Sequence, residues 1–578
     1  MKIVLVAINT KYIHSNLAVY ALSSYARAKG EEVVVCEYTI NHDADDILQD
    51  LYQKRPDVVA FSCYLWNYLY INELTYELRR LLPNVDIWLG GPEVSYESEA
   101  HLKNHPEIRG ILLGEGEETF FRLCRSYRAG KDFSEVEGIL YREGEKIIAT
   151  KPRACLNLDD LPFPYDDFAK MEHKILYYES SRGCPFSCSY CLSSVDRNLR
   201  FKSLPKVYAE LDRFLEAKVP QVKFVDRTYN AKVEHALAIW EYIKEHDNGV
   251  TNFHFEVAAD ILKQSELDCL KSLRPGLVQL EIGVQSTNEK TITEIHRVMD
   301  IDKVRTITAA LKERGNINLH LDLIAGLPYE TYERFQKSFD DLYAMRPHQL
   351  QLGFLKVLKG SYMFEHVREY GILYHERPPY EVMRTKWITY DEIISLKQVE
   401  QMVETYYNSG QFSTMLGLYF CRQKKEWGEE KPFAFFRRLA DYYLQKGQMT
   451  ISQSRMKKYE LLLDFLESEG EDRTLYEEAA VYDLYLRENL KSRPGFAKKT
   501  DDLLRDWKKQ FGSKRHIEGF SYDFTGGSFY EFARMPEKEH VRVGFFYEEK
   551  DPVTGNVRVK RISDDEAGAN DGNSSSNG

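Results

Sequence analysis

The chain has 578 residues, a formal net charge of −12 at pH 7, 43% hydrophobic residues and 29% charged residues. That length gives several domains with their own cores, and the acidic balance speaks against a general binder of nucleic acid or anionic membrane. The run Met1 to Ala7 has one basic residue and is too short for a signal-peptide core. No stretch is long enough to span a bilayer, so a cytoplasmic chain with nine reduced thiols is expected.

Residues 1–135 alternate strand and helix. Strands are predicted at Lys2–Ile8, Glu32–Tyr38, Asp57–Cys63, Asp86–Gly90 and Ile108–Leu113. Helices are predicted at Ser15–Lys29, Asp45–Lys54, Tyr68–Leu82 and Glu115–Tyr127. This pattern gives a doubly wound parallel sheet, whose ligands sit outside the carboxyl ends of the strands. The loops there run from Asn9 to His14, Ser62 to Leu65, Gly90 to Glu93 and Gly114 to Glu117. Gly90 and Gly91 either let a bulky ligand approach the backbone or simply make tight turns. There is no G-x-G-x-x-G, so a dinucleotide is not expected.

Residues 136–174 read as a connector. It holds a hairpin of Gly138–Arg142 and Lys146–Thr150, then the stiff acidic linker Asp159 to Asp167. Residues 175–360 return to strand and helix. Strands at Ile175–Ser180, Gln221–Val225, Asn252–Val257, Leu277–Ile282, Asn318–Ala325 and Gln349–Leu355 fit a partial (β/α)6 barrel with its chemistry at the carboxyl ends. Residues 361–563 are rich in Tyr and Phe and read as mainly helical (Tyr390–Tyr407, Arg455–Glu467, Leu475–Leu490), with a late β pair at Val541–Glu548 and Asn556–Ile562. Residues 564–578, mostly Gly, Ser, Asn and Asp, are expected to be a disordered tail.

The first barrel strand runs into Cys184, Cys188 and Cys191, a C-x-x-x-C-x-x-C loop. Three thiolates suit three irons of a cubane and leave the fourth iron open. A zinc site completed from afar, a disulfide loop or three chance cysteines are the other readings. The spacing and the strand before the loop favour the cluster.

This loop, with Tyr190 before its third cysteine, resembles the signature of the radical S-adenosylmethionine (SAM) superfamily. The resemblance implies a [4Fe–4S] cluster whose open iron binds SAM and cleaves it reductively, the electron coming from a donor such as flavodoxin or ferredoxin. The first domain resembles the cobalamin-binding domain that precedes many such barrels. That likeness assigns Asn9, His14, Ser62, Leu65, Gly90, Gly91 and Gly114 to cobalamin. The family's D-x-H-x-x-G motif is absent, so His14 stands in the right loop but in the wrong pattern for a cobalt ligand.

Glu256, Gln285, Arg297 and Asp322 resemble the SAM contacts of the oxygen-independent coproporphyrinogen III oxidase branch. There the glutamate, glutamine and aspartate address the ribose region, and the arginine addresses the methionine carboxylate. Ser286 belongs to the same Gly283–Ser286 phrase. The superfamily's Gly-Gly-Glu-like motif is replaced by Val225-Asp226-Arg227. Asp226 is expected to meet the methionine amino group, and Arg227 to reach substrate or carboxylate. Cys36, Cys63 and Cys124 do not match the second-cluster pattern of tRNA methylthiotransferases.

The expectation is a radical SAM enzyme that uses cobalamin, most readily for methyl transfer to an unreactive carbon of a small molecule or peptide. A vestigial cobalamin domain, or a cluster- or cobalamin-binding sensor without turnover, are the alternatives. No catalytic side chain is assigned.

Overall fold

The computed structural model describes residues 1–497, 514–527 and 530–563, so the expected tail lies outside the described residues. The first sheet has seven strands: β1 (Ile3–Asn9), β2 (Val34–Thr39), β3 (Val58–Ser62), β4 (Asp86–Gly90), β5 (Gly110–Leu112), β6 (Ile139–Glu143) and β7 (Lys146–Ala149). Their order is β2-β1-β3-β4-β5-β6-β7, with β1 to β5 parallel. The chain reverses direction across the sheet between β1 and β3, which opens a crevice at their carboxyl ends. Every residue of β1 and β3 is buried, because helices cover both faces of a parallel sheet.

The hairpin expected in the connector is instead part of this sheet. β6 pairs antiparallel with β5, Gly110 opposite Tyr141 and Leu112 opposite Ile139. Ile139, Leu140 and Tyr141 are all buried, so the hairpin covers a three-residue strand that would otherwise leave an open edge.

The second sheet is the predicted six-stranded partial barrel. It consists of β8 (Leu176–Tyr178), β11 (Gln221–Phe224), β12 (Asn252–Glu256), β13 (Val278–Gln285), β14 (Asn318–Ala325) and β15 (Gln349–Phe354), all parallel and in that spatial order. A two-residue ribbon of β9 (Ser181–Arg182) and β10 (Arg200–Phe201) brackets the cysteine loop. β13 and β14 alternate buried and part-buried residues. Leu280, Ile282, Val284, Leu319, Leu321 and Leu323 form one face and join the core. Glu281, Gly283, Gln285, His320 and Asp322 form the other, which lines the barrel lumen.

The carboxyl-terminal region is helical as expected, with helices at Tyr390–Met402, Ser413–Trp427, Pro432–Gln445, Arg455–Ser468 and Arg473–Arg487. The single helix predicted over Tyr390–Tyr407 widens into a π-helical turn at Val403–Asn408. That turn places Asn408 against the barrel's last strand. Its side chain accepts from the Leu350 N–H at 2.8 Å and donates to the Leu350 carbonyl at 2.9 Å, shielding the strand edge. The late β pair is present and gains a third antiparallel strand, Arg515–Tyr522, beside Lys538–Lys550 and Val557–Arg561. The helices seat on the barrel's flank, where Phe339 meets Phe433 and Phe436 at ring-centroid distances of 5.6 and 6.0 Å.

Candidate active site

The cysteine loop leaves β8 and is held from several sides. Gly183 sits at φ +99°, and a Cβ there would lie 2.6 Å from the Asn198 carbonyl, so only glycine fits. Ser189 donates its N–H to the Ile295 carbonyl, and its own carbonyl accepts from Met363, both at 2.9 Å. Cys184 and Cys188 are buried, Cys191 is partly exposed, and all three are free thiols. Burial pushes the Cys188 thiol up, and the Arg297 guanidinium opposes that shift. Arg297 Nη1 lies 3.6 Å from Cys188 Sγ and 3.3 Å from the Tyr190 hydroxyl, and Nη2 donates to the Gly283 carbonyl. Its Nε is buried with no partner.

Gln285 ends β13 at φ +73°, a strained region for a residue with a side chain, and its Oε1 is buried and unpartnered. Backbone strain beside an unsatisfied amide is typical of a ligand-holding position. Glu256 ends β12, 4.0 Å from Lys223 Nζ, and burial raises its carboxyl above the ordinary range. Asp322 lies two strands further on, in β14, beside His320.

Two expected contacts are corrected. Both oxygens of Asp226 are already engaged: Oδ1 accepts from the Ser180 and Ser181 hydroxyls at 2.6 Å each, and Oδ2 accepts from the Ser180 N–H at 3.0 Å. Asp226 is only 1% exposed, so it braces the root of the cysteine loop rather than facing an amine. Ser286 is fully buried, and its hydroxyl donates to Glu330 at 2.8 Å. It shapes the turn after β13 and does not face the lumen.

A cavity of about 840 Å³ lies between the first domain and the cysteine loop. Asn9, His14, Ser62, Gly90, Gly91 and Gly114 line it, whereas Leu65 is not among its lining residues; Tyr64 and Trp66 from the same loop are. Their rings stack at 4.5 Å. Gly91 has φ +113°, and a Cβ there would lie 2.4 Å from the Cys63 carbonyl. His14, which stands in the loop but not in the pattern of a cobalt ligand, is otherwise committed. His14 Nδ1 lies 2.8 Å from the Tyr177 hydroxyl, and its backbone bridges Ile175 at the start of the barrel. Burial lowers its basicity.

Sequence reasoning missed the joint between the two domains. Arg182, inside the ribbon that carries the cysteines, reaches Glu117 at 2.7 Å, Glu179 at 2.8 Å and Glu115 at 3.5 Å. Arg200 also pairs with Glu115. The Gly114–Glu117 loop, expected only as ligand contact, thus clamps the cysteine loop. The Gly-Glu-Gly-Glu charge pattern opposite two arginines was the available signal. Tyr380 donates to Glu93, and Lys359 meets Glu97 at 3.0 Å, which ties the segment after the barrel to the first domain.

The three free thiols, the unpartnered Gln285 and Arg297 atoms and the glycine cradle at Gly91 fit a thiolate-held cluster, a nucleoside and a corrin. The fold and site define a radical SAM protein: residues 178–342 match the family described as "Radical SAM superfamily". It is one that carries a B12-binding domain ahead of its barrel, since residues 3–123 match the family described as "B12 binding domain". Residues 368–547 match "Protein of unknown function (DUF4080)".

Similar proteins include the cobalamin-dependent radical SAM methyltransferase TokK of Streptomyces tokunonensis, 25% identical over 76% of this chain and 68% of that one. The 2-(S-pantetheinyl)-carbapenam-3-carboxylate methyltransferase of Streptantibioticus cattleyicolor is 23% identical over 71% of this chain and 65% of that one. Among solved structures, the cobalamin-dependent SAM radical enzyme OxsB with aqua-cobalamin bound superposes with a TM-score of 0.57 at 16% identity, covering 84% of this chain and 80% of that one. The radical SAM methyltransferase TsrM of Kitasatospora setae, with cobalamin and a [4Fe-4S] cluster bound, superposes with a TM-score of 0.56 at 16% identity, covering 66% and 79%. These structures share the fold. No helix among the described residues is long and apolar enough to cross a membrane.

Proposed function

We propose that this chain is a cobalamin-dependent radical SAM enzyme that transfers a methyl group to an unreactive carbon of a small molecule or peptide. The observation that carries this reading is the placement of the cavity at Gly90 and Gly91 directly against the cysteine loop and barrel mouth. When bound, the cluster supplies an electron to SAM and cobalamin supplies a transferable methyl group. Cys184, Cys188 and Cys191 hold the cluster. Arg297 sets charge beside Cys188 and faces the methionine end of SAM. Gln285, Glu256 and Asp322 address the ribose.

Asp226, through Ser180 and Ser181, fixes the loop's root. Arg182 locks the loop to the first domain, so that both cofactor pockets keep one relative position. Asn9, Ser62, Gly91 and Gly114 receive the corrin, and His14 packs at its border without serving cobalt. Nine free cysteines suit a reducing cytoplasm, where flavodoxin or ferredoxin would deliver the electron.

Anaerobically reconstituted protein given dithionite and SAM should form 5′-deoxyadenosine, and the same protein should turn red with hydroxocobalamin. Failure of the first removes the enzyme reading. Failure of the second alone leaves a radical SAM enzyme with a vestigial first domain.

A further inference from the structure

Three neighbouring strands bring four metal-ligating side chains onto one patch of the lumen: His254 on β12, Glu281 on β13, and His320 and Asp322 on β14. Ligand atoms of Glu281, His320 and Asp322 all lie within 4.8 Å of one another. His254 Nε2 is 3.0 Å from Glu281 Oε2, and His320 Nε2 is 3.0 Å from Asp322 Oδ1. Yet His254 Nε2, His320 Nε2 and Asp322 Oδ1 are buried atoms with no hydrogen-bond partner. The nitrogens approach the carboxylates without aiming an N–H at them. Buried polar groups are nearly always satisfied, and groups that are not call for an ion or a water. His254 is only 7% exposed, which rules out bulk water as its partner.

The charges point the same way. Glu281 and Asp322 share the lumen with Glu256, and Lys223 is the ammonium among them, 3.0 Å from Glu281 and 4.0 Å from Glu256. Three carboxylates face the Lys223 ammonium and, at Glu256, the Arg227 guanidinium, which leaves a net negative charge in a partly buried space that a cation would offset. A water would satisfy the donors and acceptors but not the charge.

We propose that Glu281, His320 and Asp322 form a binding site for one divalent first-row cation in the barrel lumen, separate from the three-cysteine cluster. An imidazole with two carboxylates suits Mn2+, Fe2+ or Zn2+ better than the all-oxygen shells of Mg2+ or Ca2+. Lys223 donates to Glu281 at 3.0 Å and orients it, as outer partners of metal ligands do, and His254 lies against the same carboxylate. Three protein ligands leave further positions for water or a substrate oxygen. Asp322 gives Oδ1 to the ion, which leaves its second oxygen for the nucleoside.

The site does not depend on the methyl-transfer reading, and its test needs no turnover. Anaerobically reconstituted full-length protein is titrated with Mn2+, and the free ion is followed by its six-line EPR signal. One Mn2+ per chain should bind, Zn2+ should displace it, and Glu281→Gln and His320→Ala should each weaken binding at least tenfold while the cluster absorbance is retained. Cys188→Ala should leave Mn2+ binding intact. An undiminished free signal with the wild-type protein overturns the proposal, as does binding unchanged in both lumen variants. If a lumen variant loses the cluster absorbance, Asp322→Asn replaces it under the same criterion.

Discussion

The two parallel sheets are built by the same strand-helix alternation but use their faces differently. β1 is buried at every position, whereas β13 alternates buried and part-buried residues along its length. In the first sheet, helices cover both faces, so function is confined to the loops at the strand ends. In the barrel one face is a lumen, so the strands themselves carry polar side chains such as Glu281, Gln285, His320 and Asp322. Substitutions should therefore act through loop backbone in the first domain and through side-chain chemistry in the second.

The largest effect is expected at the barrel's first strand end. Cys188→Ala should abolish the broad visible absorbance of the cluster and all 5′-deoxyadenosine formation. Cys124→Ser, a buried thiol of the first domain, should leave iron content unchanged; equal losses in both would erase the contrast.

Next in size is the loop backbone. Gly91→Ala meets both the positive φ and the Cys63 carbonyl, and backbone strain of this kind costs about 1–3 kcal/mol. Cobalamin affinity, read by hydroxocobalamin titration, should fall roughly 5- to 150-fold on that cost, with the cluster spectrum unaltered. Arg297→Gln then tests the lumen. Charged hydrogen bonds contribute about 1.5–3 kcal/mol, so SAM affinity should fall by at least about tenfold while cobalamin binding is unmoved.

A smaller, pH-dependent effect is expected at Asp226. Burial pushes its carboxyl up to about 6, and bonds from Ser180 and Ser181 only partly offset this. The folded value lies above the ordinary 3.8, so its stabilisation is full below that pH and is lost as pH rises through about 6. The wild type should hold its cluster against heat better than Asp226→Asn at pH 5.5, with the gap narrowing toward pH 8 by about 1 kcal/mol. A gap that widens with pH reverses the sign and refutes the buried-brace role. Least of all, His14→Gln should change cobalamin affinity less than about twofold, because a cobalt ligand would cost far more than a hydrogen bond to Tyr177.

What the sequence revealed follows from these physical differences. The cysteine spacing, the six barrel strands and the glycine pair are local patterns, and each stands in the structure where its pattern placed it. The hairpin at 139–149 was visible as a hairpin but not as a sheet edge, because strand pairing with β5 is long-range. Asp226 and Ser286 look like ligand contacts from their positions at strand ends. Their side chains turn inward, toward Ser180 and Glu330, and no local rule reports that. The Arg182 clamp needed two distant charge patterns to be matched. The helix at Ser413–Trp427 was hidden because Ser413 to Phe420 are all buried, which removes the amphipathic period that marks a surface helix, whereas Pro432–Gln445 keeps that period at Phe433, Phe436, Ala440 and Tyr443 and was legible.

The central claim is that three cysteines hold a cluster with one iron open to SAM. EPR of the dithionite-reduced, reconstituted protein, recorded with and without SAM, tests it most directly. SAM should shift the g values of a [4Fe–4S]+ signal in the wild type, and the shift should weaken in Arg297→Gln. A reduced-cluster spectrum that SAM leaves unchanged, or protein that carries zinc in place of iron, contradicts the account.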